Sequence, residues 1–372
     1  MKKFLLQFSA IFILFSSQVF AEEVKEFPNV SGNVLFQAAV DRVMSTQQSG
    51  VSPNNAYVYV EPNISLNFNK NWSLKTDWRL QPNNVLTTRD SVYPERYRTF
   101  FQTDRGLKPQ DEGLLVEELK LDFKNEDMNF FVGKFDPTFG TAYRKSKRIG
   151  VFTSQFAEDY NLREKIGGGI SALLENSKVT FNTFFNDTTG MSRSALDSRG
   201  RASRSNGIAG NTGTLSSYSV SMEGENLFAV ENLFYNVGYR SLGVDRLDNR
   251  RREKGYVFGS EYVHEISLST SIIPFIEIVK IDDFTGEKNR NATYTTIALM
   301  GKYSSWIGSL SHLSRNIRQN QRSSNMSDRQ LQLSVGYKFN DNLTLDFTRA
   351  SVKENGNSGT VFGAVLSYVY KF

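Results

Sequence analysis

Apolar and polar residues alternate one by one along most of this chain. In the segment 56–68, Val58 and Val60 share one face with the apolar residues that follow, while tyrosine, glutamate, asparagine and serine side chains share the other. After a turn at 69–71, the pattern resumes over 72–81. A period of two residues is that of a β-strand, and the 3.6-residue period of a helix does not fit these stretches. The pattern therefore predicts an all-β protein.

The alternating stretches predict about sixteen strands, most of them about ten to thirteen residues long. We place them at 30–41, 56–68, 72–81, 113–123, 128–136, 164–174, 179–187, 215–223, 232–242, 255–266, 268–280, 292–303, 305–316, 329–339, 343–353 and 360–372. The segments around 215–231 and 304–316 alternate less clearly, so fourteen or eighteen strands remain open.

The connections between these strands are long and short in turn. The long ones lie at 82–112, 137–163 and 188–214, and the short ones include 69–71, 124–127, 175–178 and 340–342. Long surface loops and short periplasmic turns are typical of outer-membrane barrels, whose strands need about 9–11 residues against about five or six in soluble sheets. A soluble sandwich also alternates, but it does not require strands of this length. We predict a transmembrane antiparallel β-barrel.

Charged side chains within these strands indicate which face is the lumen. A lysine or arginine that faces lipid at mid-depth costs about 2–4 kcal/mol, and only a closed sheet leaves no unpaired backbone groups in hydrocarbon. The predicted pore-lining residues are Lys75, Asp77, Arg79, Glu118 and Lys120. Arg349 is an exception, because alternation places it with Leu345 and Phe347 on the lipid face. A β-bulge or a position near the outer rim would explain it.

The N-terminus predicts export. Two lysines precede an apolar stretch at 4–15, and Val19-Phe20-Ala21 has the small residues of a signal-peptide cleavage site. We expect residues 1–21 to be removed, which leaves a single barrel domain at 22–372. The alternative is a retained membrane anchor, for which the apolar stretch is short. Cleavage lowers the net charge from +5 to +3, and the chain has no cysteine.

The last strand carries a more specific signal. In 360–372 the apolar residues share one face, and the chain ends in Tyr-Val-Tyr-Lys-Phe. This ending resembles the assembly signal of bacterial outer-membrane porins, in which a C-terminal phenylalanine helps the barrel-assembly machinery to recognise its substrate. The resemblance implies that Tyr368, Tyr370 and Phe372 form this signal, within the periplasmic aromatic girdle.

The connection at 137–163 is the third predicted surface loop. The stretch Gly-Lys-Phe-Asp-Pro-Thr-Phe-Gly at 133–140 resembles the phosphate-selective porin O/P group. In sixteen-stranded porins the third loop folds into the barrel, so the resemblance implies a constriction here. The candidate constriction residues are Arg144, Lys145, Lys147, Arg148, Glu158 and Asp159. An excess of basic groups there would favour anions. The alternative places the basic residues at the outer surface, against lipopolysaccharide.

Catalytic chemistry has few candidates. The two histidines, His264 and His312, lie in predicted strands without the spacing of a catalytic triad or a metal site. His264 shares a face with aromatic residues, which indicates the girdle; a phospholipase-like outer-membrane enzyme is the alternative. The arginines at 193–204 and 250–252 lack interleaved aromatic residues, which disfavours nucleic acid. We expect no enzymatic activity, no cofactor and no metal.

The resemblance to porins implies a function and a set of partners. It implies a water-filled channel for passive diffusion of small hydrophilic solutes or ions, with a weak preference for anions. It also implies the outer membrane of a Gram-negative-type bacterium, reached by Sec export, contact with lipid and lipopolysaccharide, and a homotrimer. The alternative is a non-channel surface protein, either an adhesin or a structural barrel.

Overall fold

A computed structural model describes residues 26–47, 54–82, 112–145, 150–152, 154–196, 209–245, 250–319 and 325–372. The predicted signal peptide at 1–21 lies outside these residues, as do Lys147 and Arg148 among the candidate constriction residues.

Antiparallel strands make up most of the described chain. They are β1 (Asn29–Thr46), β2 (Asn54–Asn67), β3 (Trp72–Pro82), β4 (Glu112–Lys124), β5 (Met128–Phe135), β6 (Lys165–Leu174), β7 (Ser177–Asn186), β8 (Ser217–Gly224), β9 (Leu233–Leu242), β10 (Glu253–Tyr262), β11 (His264–Ser267), β12 (Thr270–Asp282), β13 (Arg290–Tyr303), β14 (Trp306–Gln319), β15 (Met326–Lys338), β16 (Leu343–Glu354) and β17 (Asn357–Lys371). β10 and β11 both pair with β12 and are two halves of one barrel strand, interrupted at Val263. The barrel therefore has sixteen strands, as predicted.

The sheet closes on itself. Each strand pairs with the next along the chain, and β17 returns to pair with β1 from Asn33↔Lys371 to Thr46↔Gly359. At the end of this seam, the Gly32 amide donates to the Phe372 carbonyl at 2.9 Å. Closure removes the two outer edges of the sheet, so the strands pair their backbone groups with one another over most of their length.

The two ends of the barrel differ as the sequence predicted. At one end the connections are short, with 175–176, 268–269 and 304–305 each linking neighbouring strands. At the other end several connections are much longer, including 83–111, 136–164 and 187–216, while 355–356 between β16 and β17 has only two residues. The predicted bounds need correction at several strand ends. β1 continues to Thr46 instead of 41, β15 begins at Met326 instead of 329, and β17 begins at Asn357 instead of 360. The strand expected at 255–266 breaks at Val263, and the next begins at Thr270 instead of 268.

The outer face is apolar and carries aromatic residues at the short-turn end. On β15, Leu331, Leu333 and Val335 are exposed, while the residues between them are buried. The ring of Trp306 lies 4.8 Å from that of Tyr337 at the short-turn rim. This arrangement matches an apolar band bounded by an aromatic girdle.

Arg349 lies on the outer face, as strict alternation required. Its guanidinium lies 5.9 Å from the centre of the Phe362 ring. The next outward residues of β16 toward the long loops are Ser351 and Lys353, both exposed and polar. Arg349 therefore lies where the apolar band ends, which agrees with the rim explanation and needs no bulge in β16.

The first half of β4, nearer the long connections, lacks a neighbouring strand on one side, because β5 pairs only with Leu119–Lys124. The connection after β7 covers this edge, with the Ala195 amide donating to the Leu114 carbonyl at 2.8 Å. Lys134 lies fully buried here, 2.9 Å from both Glu164 and Asp187. An open strand edge is thus protected within the same chain.

Helical structure is confined to the connections. Within the described ranges, α1 (Ser154–Ala157) is an α-helix, and 3₁₀ turns lie at Ala142–Lys145, Gly190–Ser192, Leu227–Ala229 and Phe284–Gly286. None of the helices in the described ranges is long and apolar enough to cross a membrane.

Candidate functional site

The connection between β5 and β6 lies inside the barrel. We call its described part, 136–145, 150–152 and 154–164, the inner loop. The Asp136 amide donates to Glu118 of β4 at 3.2 Å, and the Phe152 amide donates to Gln332 of β15 at 2.7 Å. These two strands lie on well-separated parts of the wall. A segment that contacts the inward side chains of both must cross the lumen, as the resemblance to porins implied.

Glu277 of β12 anchors the first arm of the inner loop. Its carboxylate accepts hydrogen bonds from the Thr141 amide at 2.6 Å, the Ala142 amide at 3.2 Å and the Tyr160 hydroxyl at 2.6 Å. Glu277 is 1% exposed. A buried carboxylate is tolerated when donors surround it. These three donors all belong to the inner loop, so the wall carboxylate depends on the loop for its hydrogen bonds.

Burial, together with the neighbouring Glu277 carboxylate, raises the pKa of the Tyr160 hydroxyl well above its ordinary value. Tyr160 therefore stays protonated and remains a donor to Glu277. Its ring packs 5.1 Å from that of Tyr294 on β13.

Two buried arginines of the wall hold the second arm. Arg315 of β14 lies 2.8 Å from Asp159 of the loop. Two further carboxylates surround its guanidinium, Asp328 at 2.6 Å and Glu354 at 3.0 Å. Arg240 of β9 donates to the Tyr160 carbonyl and to Glu253. The rings of Phe156 and Phe139 lie 4.7 Å from the Arg315 and Arg240 guanidinium groups, respectively.

An apolar core fills one side of the lumen between these anchors. Its main members from the inner loop are Phe139, Ala142, Phe156, Ala157, Tyr160 and Leu162, and those from the wall include Leu242, Val257, Phe275, Val279, Ile281, Tyr294, Leu313 and Ile317. The inward residues from Ile273 to Ile281 of β12 and from Ala292 to Met300 of β13 are at most 3% exposed. Inward apolar residues in a membrane barrel require a covering, and here the inner loop provides it.

The opposite side of the lumen stays open. The inward residues of β2 and β3, beginning with Tyr57 and Tyr59, are half-buried along most of their length, and Asn63 is exposed. The Glu61 and Arg79 side chains are 28% and 20% exposed to solvent, respectively. The solvent-accessible part of the described lumen therefore lies off-centre, along β1 to β4.

The five predicted pore-lining residues all lie on this inward wall. Lys75 pairs with Asp122 at 2.8 Å, Arg79 with Glu61 at 2.8 Å, and Lys120 with Glu118 at 2.6 Å. Asp77 lies opposite Glu118. Each basic group is thus balanced by a neighbouring carboxylate.

A β-bulge between Asp77 and Trp78 adds a residue that the sequence reasoning missed. The register of β4 shifts there, and the consecutive residues Glu117 and Glu118 both face inward. Glu117 is buried and pairs with Arg163 of the inner loop and, at 3.4 Å, with Arg79. The apolar run Leu114-Leu115-Val116 breaks strict alternation and was the available signal for the bulge.

The described candidate constriction residues pair with the wall and with the inner loop itself, not with one another. Arg144 pairs with Glu223 of β8, and Lys145 pairs with Glu261 of β10 at 2.9 Å. Glu158 pairs instead with Arg163 at 2.9 Å, and Asp159 is bound to Arg315. The basic and acidic members thus lie at different places in the lumen, because their partners lie on β8, β10 and β14 and in the loop itself.

A cavity of about 470 Å³ lies beside Arg144 and Lys145. It opens toward the short-turn end, since Glu175 and Asn176 of the β6–β7 turn line it together with Glu223 and Glu261. We call this space the lower vestibule.

The two histidines lie on the outer face and not in the lumen. His264 stacks on Tyr262 with ring centres 6.0 Å apart at the short-turn rim. His312 is exposed on β14, between the buried residues Ser311 and Leu313. The two residues thus lie on separate strands of the barrel.

Comparison with known proteins gives a result at the level of fold. No family model matches the chain, and no curated protein matches it. Among solved structures, OprB of Pseudomonas putida aligns with a TM-score of 0.62 at 9% identity, over 92% of this chain and 94% of its own. The outer membrane channel DcaP of Acinetobacter baumannii aligns at 0.54 and 8% identity, over 92% and 96% of the two chains.

A third structure, the outer-membrane expressed OmpT of Vibrio cholerae, aligns at 0.55 and 10% identity, over 94% of this chain and all of the other. At such identities the shared property is the fold. The closed sheet, the uneven connections and these likenesses together show that the chain folds as a sixteen-stranded transmembrane barrel of the outer-membrane type.

Proposed function

We propose that this protein is a passive channel of the outer membrane for small hydrophilic solutes. The observation that carries the proposal is the asymmetric lumen, in which one side is sealed by an apolar core while the charged wall of β1 to β4 keeps solvent exposure. Charged walls hold water in a barrel. The fold likeness to the outer membrane channel DcaP supports the same assignment. No reaction is part of the proposal.

The assignment to a cell compartment and to partners follows from the fold and the sequence. We place the protein in the outer membrane of a Gram-negative-type bacterium, after Sec export and removal of residues 1–21. Lipid and lipopolysaccharide would surround it, and the barrel-assembly machinery would recognise Tyr368, Tyr370 and Phe372. A homotrimer and a relationship to the phosphate-selective porin O/P group stay predictions from the resemblance.

The preference of the channel for anions or cations is a more specific part of the proposed function. The predicted weak preference for anions depended on uncompensated basic residues at the constriction. Arg144 and Lys145 are paired with Glu223 and Glu261, which removes the support that these two residues gave it. Lys147 and Arg148 lie outside the described residues, so their contribution to the preference is still a prediction.

Planar-bilayer conductance of the purified full-length mature protein tests the channel. We expect stepwise current increments, each corresponding to one inserted barrel or oligomer. Heat-modifiable migration on gels, measured on the same sample, shows that the barrel is folded. A folded barrel that carries no current would contradict the channel.

The sealed half of the lumen favours one second candidate, a structural or adhesive surface barrel. The apolar core shows that much of the interior is filled. If the bilayer is silent, binding of fluorescently labelled protein to whole host or bacterial cells tests this candidate.

A further inference from the structure

We infer that the open route through the lumen prefers cations, and that solutes carrying ammonium or guanidinium groups pass more readily than carboxylates or phosphates. The inference rests on the proposed channel and specifies its selectivity. It is opposite in sign to the preference that the sequence predicted.

The first observation is the charge on the exposed inner wall. Leaving aside the residues at strand ends, six carboxylates and three basic groups face inward on β1 to β4. The carboxylates are Asp41, Glu61, Asp77, Glu117, Glu118 and Asp122, and the basic groups are Lys75, Arg79 and Lys120. By formal charge, these six carboxylates and three basic groups leave an excess of three negative charges on this wall.

The described part of the inner loop that faces β4 does not offset this excess. Glu158 and Arg163 pair at 2.9 Å and cancel in formal charge, and Arg163 also contacts Glu117. Burial and the neighbouring Glu118 carboxylate raise the pKa of Asp136 well above its ordinary value.

The lower vestibule has the same sign of charge. Four carboxylates line it, Glu175, Glu223, Glu225 and Glu261, against three basic groups, Arg144, Lys145 and Lys178. An ion that leaves the wall of β2 to β4 toward the short-turn end thus meets a second region with an excess of negative charge.

Several basic groups of the described residues lie away from this route. Arg42, Lys254, Lys280 and Arg329 lie exposed on the outer face of their strands, toward the end with the long connections. Arg240 and Arg315 are buried in ion pairs on the sealed side. The net charge of the whole chain is positive, whereas the described groups that an ion would meet carry an excess of negative charge.

Low-dielectric walls focus the field of fixed charges into a narrow aqueous route, and charged groups lining such a route set its ion preference. One unit charge at about 8 Å in water, screened at about 0.1 M salt, changes the ratio of cation to anion permeability by about twofold. An excess of three charges is enough for a measurable preference.

The test is the reversal potential of the purified full-length mature protein in a planar bilayer, across a KCl gradient of about tenfold from about 0.1 M. We expect the permeability ratio of potassium to chloride to exceed 1. Two variants on the same inward face of β3 provide a pair of opposite sign. Asp77→Asn should lower the ratio about twofold, and Lys75→Gln should raise it about twofold.

The outcomes separate this inference from the channel itself. A ratio above 1 that moves in opposite directions in the two variants supports the cation preference. A current that prefers chloride, or a ratio that neither variant changes, overturns the preference and leaves the channel intact. A folded barrel without current overturns the channel and the preference together. Heat-modifiable migration of each variant shows that the comparison is made between folded barrels.

Discussion

Arg315 and Asp159 form an ion pair of 2.8 Å between the wall strand β14 and the inner loop, 156 residues apart in sequence. Both side chains are buried, and Asp328 and Glu354 share the same guanidinium. One positive charge thus holds three carboxylates together inside the barrel. The pair with Asp159 thus joins the inner loop to a charge cluster of the wall on the sealed side of the lumen.

The first prediction concerns this cluster. Arg315→Met leaves three buried carboxylates without a counter-charge, which we expect to cost about 3–5 kcal/mol. The urea midpoint of the heat-modifiable folded band in detergent should fall. Arg318→Met, on the same strand at an exposed position, is the matched control and should leave the midpoint within error. An unchanged midpoint in the Arg315 variant would show that the cluster does not hold the loop.

The second prediction concerns the other anchor. Glu277→Leu removes the acceptor for the Thr141 and Ala142 amides and for the Tyr160 hydroxyl, each of which would cost about 1–3 kcal/mol if left buried without a partner. We expect the inner loop to leave the wall, so that single-channel conductance rises and protease cleaves within 136–164. The outward neighbour Ile278→Leu should behave as the parent protein. Identical conductance and cleavage in the Glu277 variant would contradict the anchoring.

The third prediction compares two glycines. Gly150 has φ +128°, and a Cβ there would lie 1.5 Å from the Gln332 amide nitrogen, whose side chain holds Phe152. Gly150→Ala should therefore displace the loop at this point and alter its protease pattern. Gly301→Ala meets nothing within 4 Å, so we expect no loss of stability. Equal behaviour of the two variants in limited proteolysis would refute this account.

The fourth prediction concerns assembly. The Phe372 ring stacks on Tyr370 at 6.0 Å, and its backbone exchanges two hydrogen bonds with Gly32 across the seam. Phe372→Ser keeps the backbone bonds but removes the ring. We expect less folded protein in the outer-membrane fraction of cells and normal refolding in detergent. Phe339→Ser, at another exposed aromatic of the same rim, is the control. Equal losses in both variants would assign the effect to the girdle instead of an assembly signal.

The sequence by itself determined the strands, their inward and outward faces and the two unlike ends of the barrel. These properties are local, because side chains of a strand alternate with a period of two and a lysine at mid-depth cannot face lipid. The inward position of Lys75, Asp77 and Arg79 and the outward position of Phe362 follow from that rule alone.

Only the tertiary structure decided which inward residues meet. Glu277 and Tyr160 are 117 residues apart, and nothing in the alternation of β12 indicates that its carboxylate binds a loop while its apolar neighbours form a core. The bulge that turns Glu117 inward and the pairing of Arg144 with Glu223 likewise depend on register and on competition between strands. The sealed half of the lumen follows from these long-range contacts, because a loop can cover an apolar wall only when the closed barrel brings the two together.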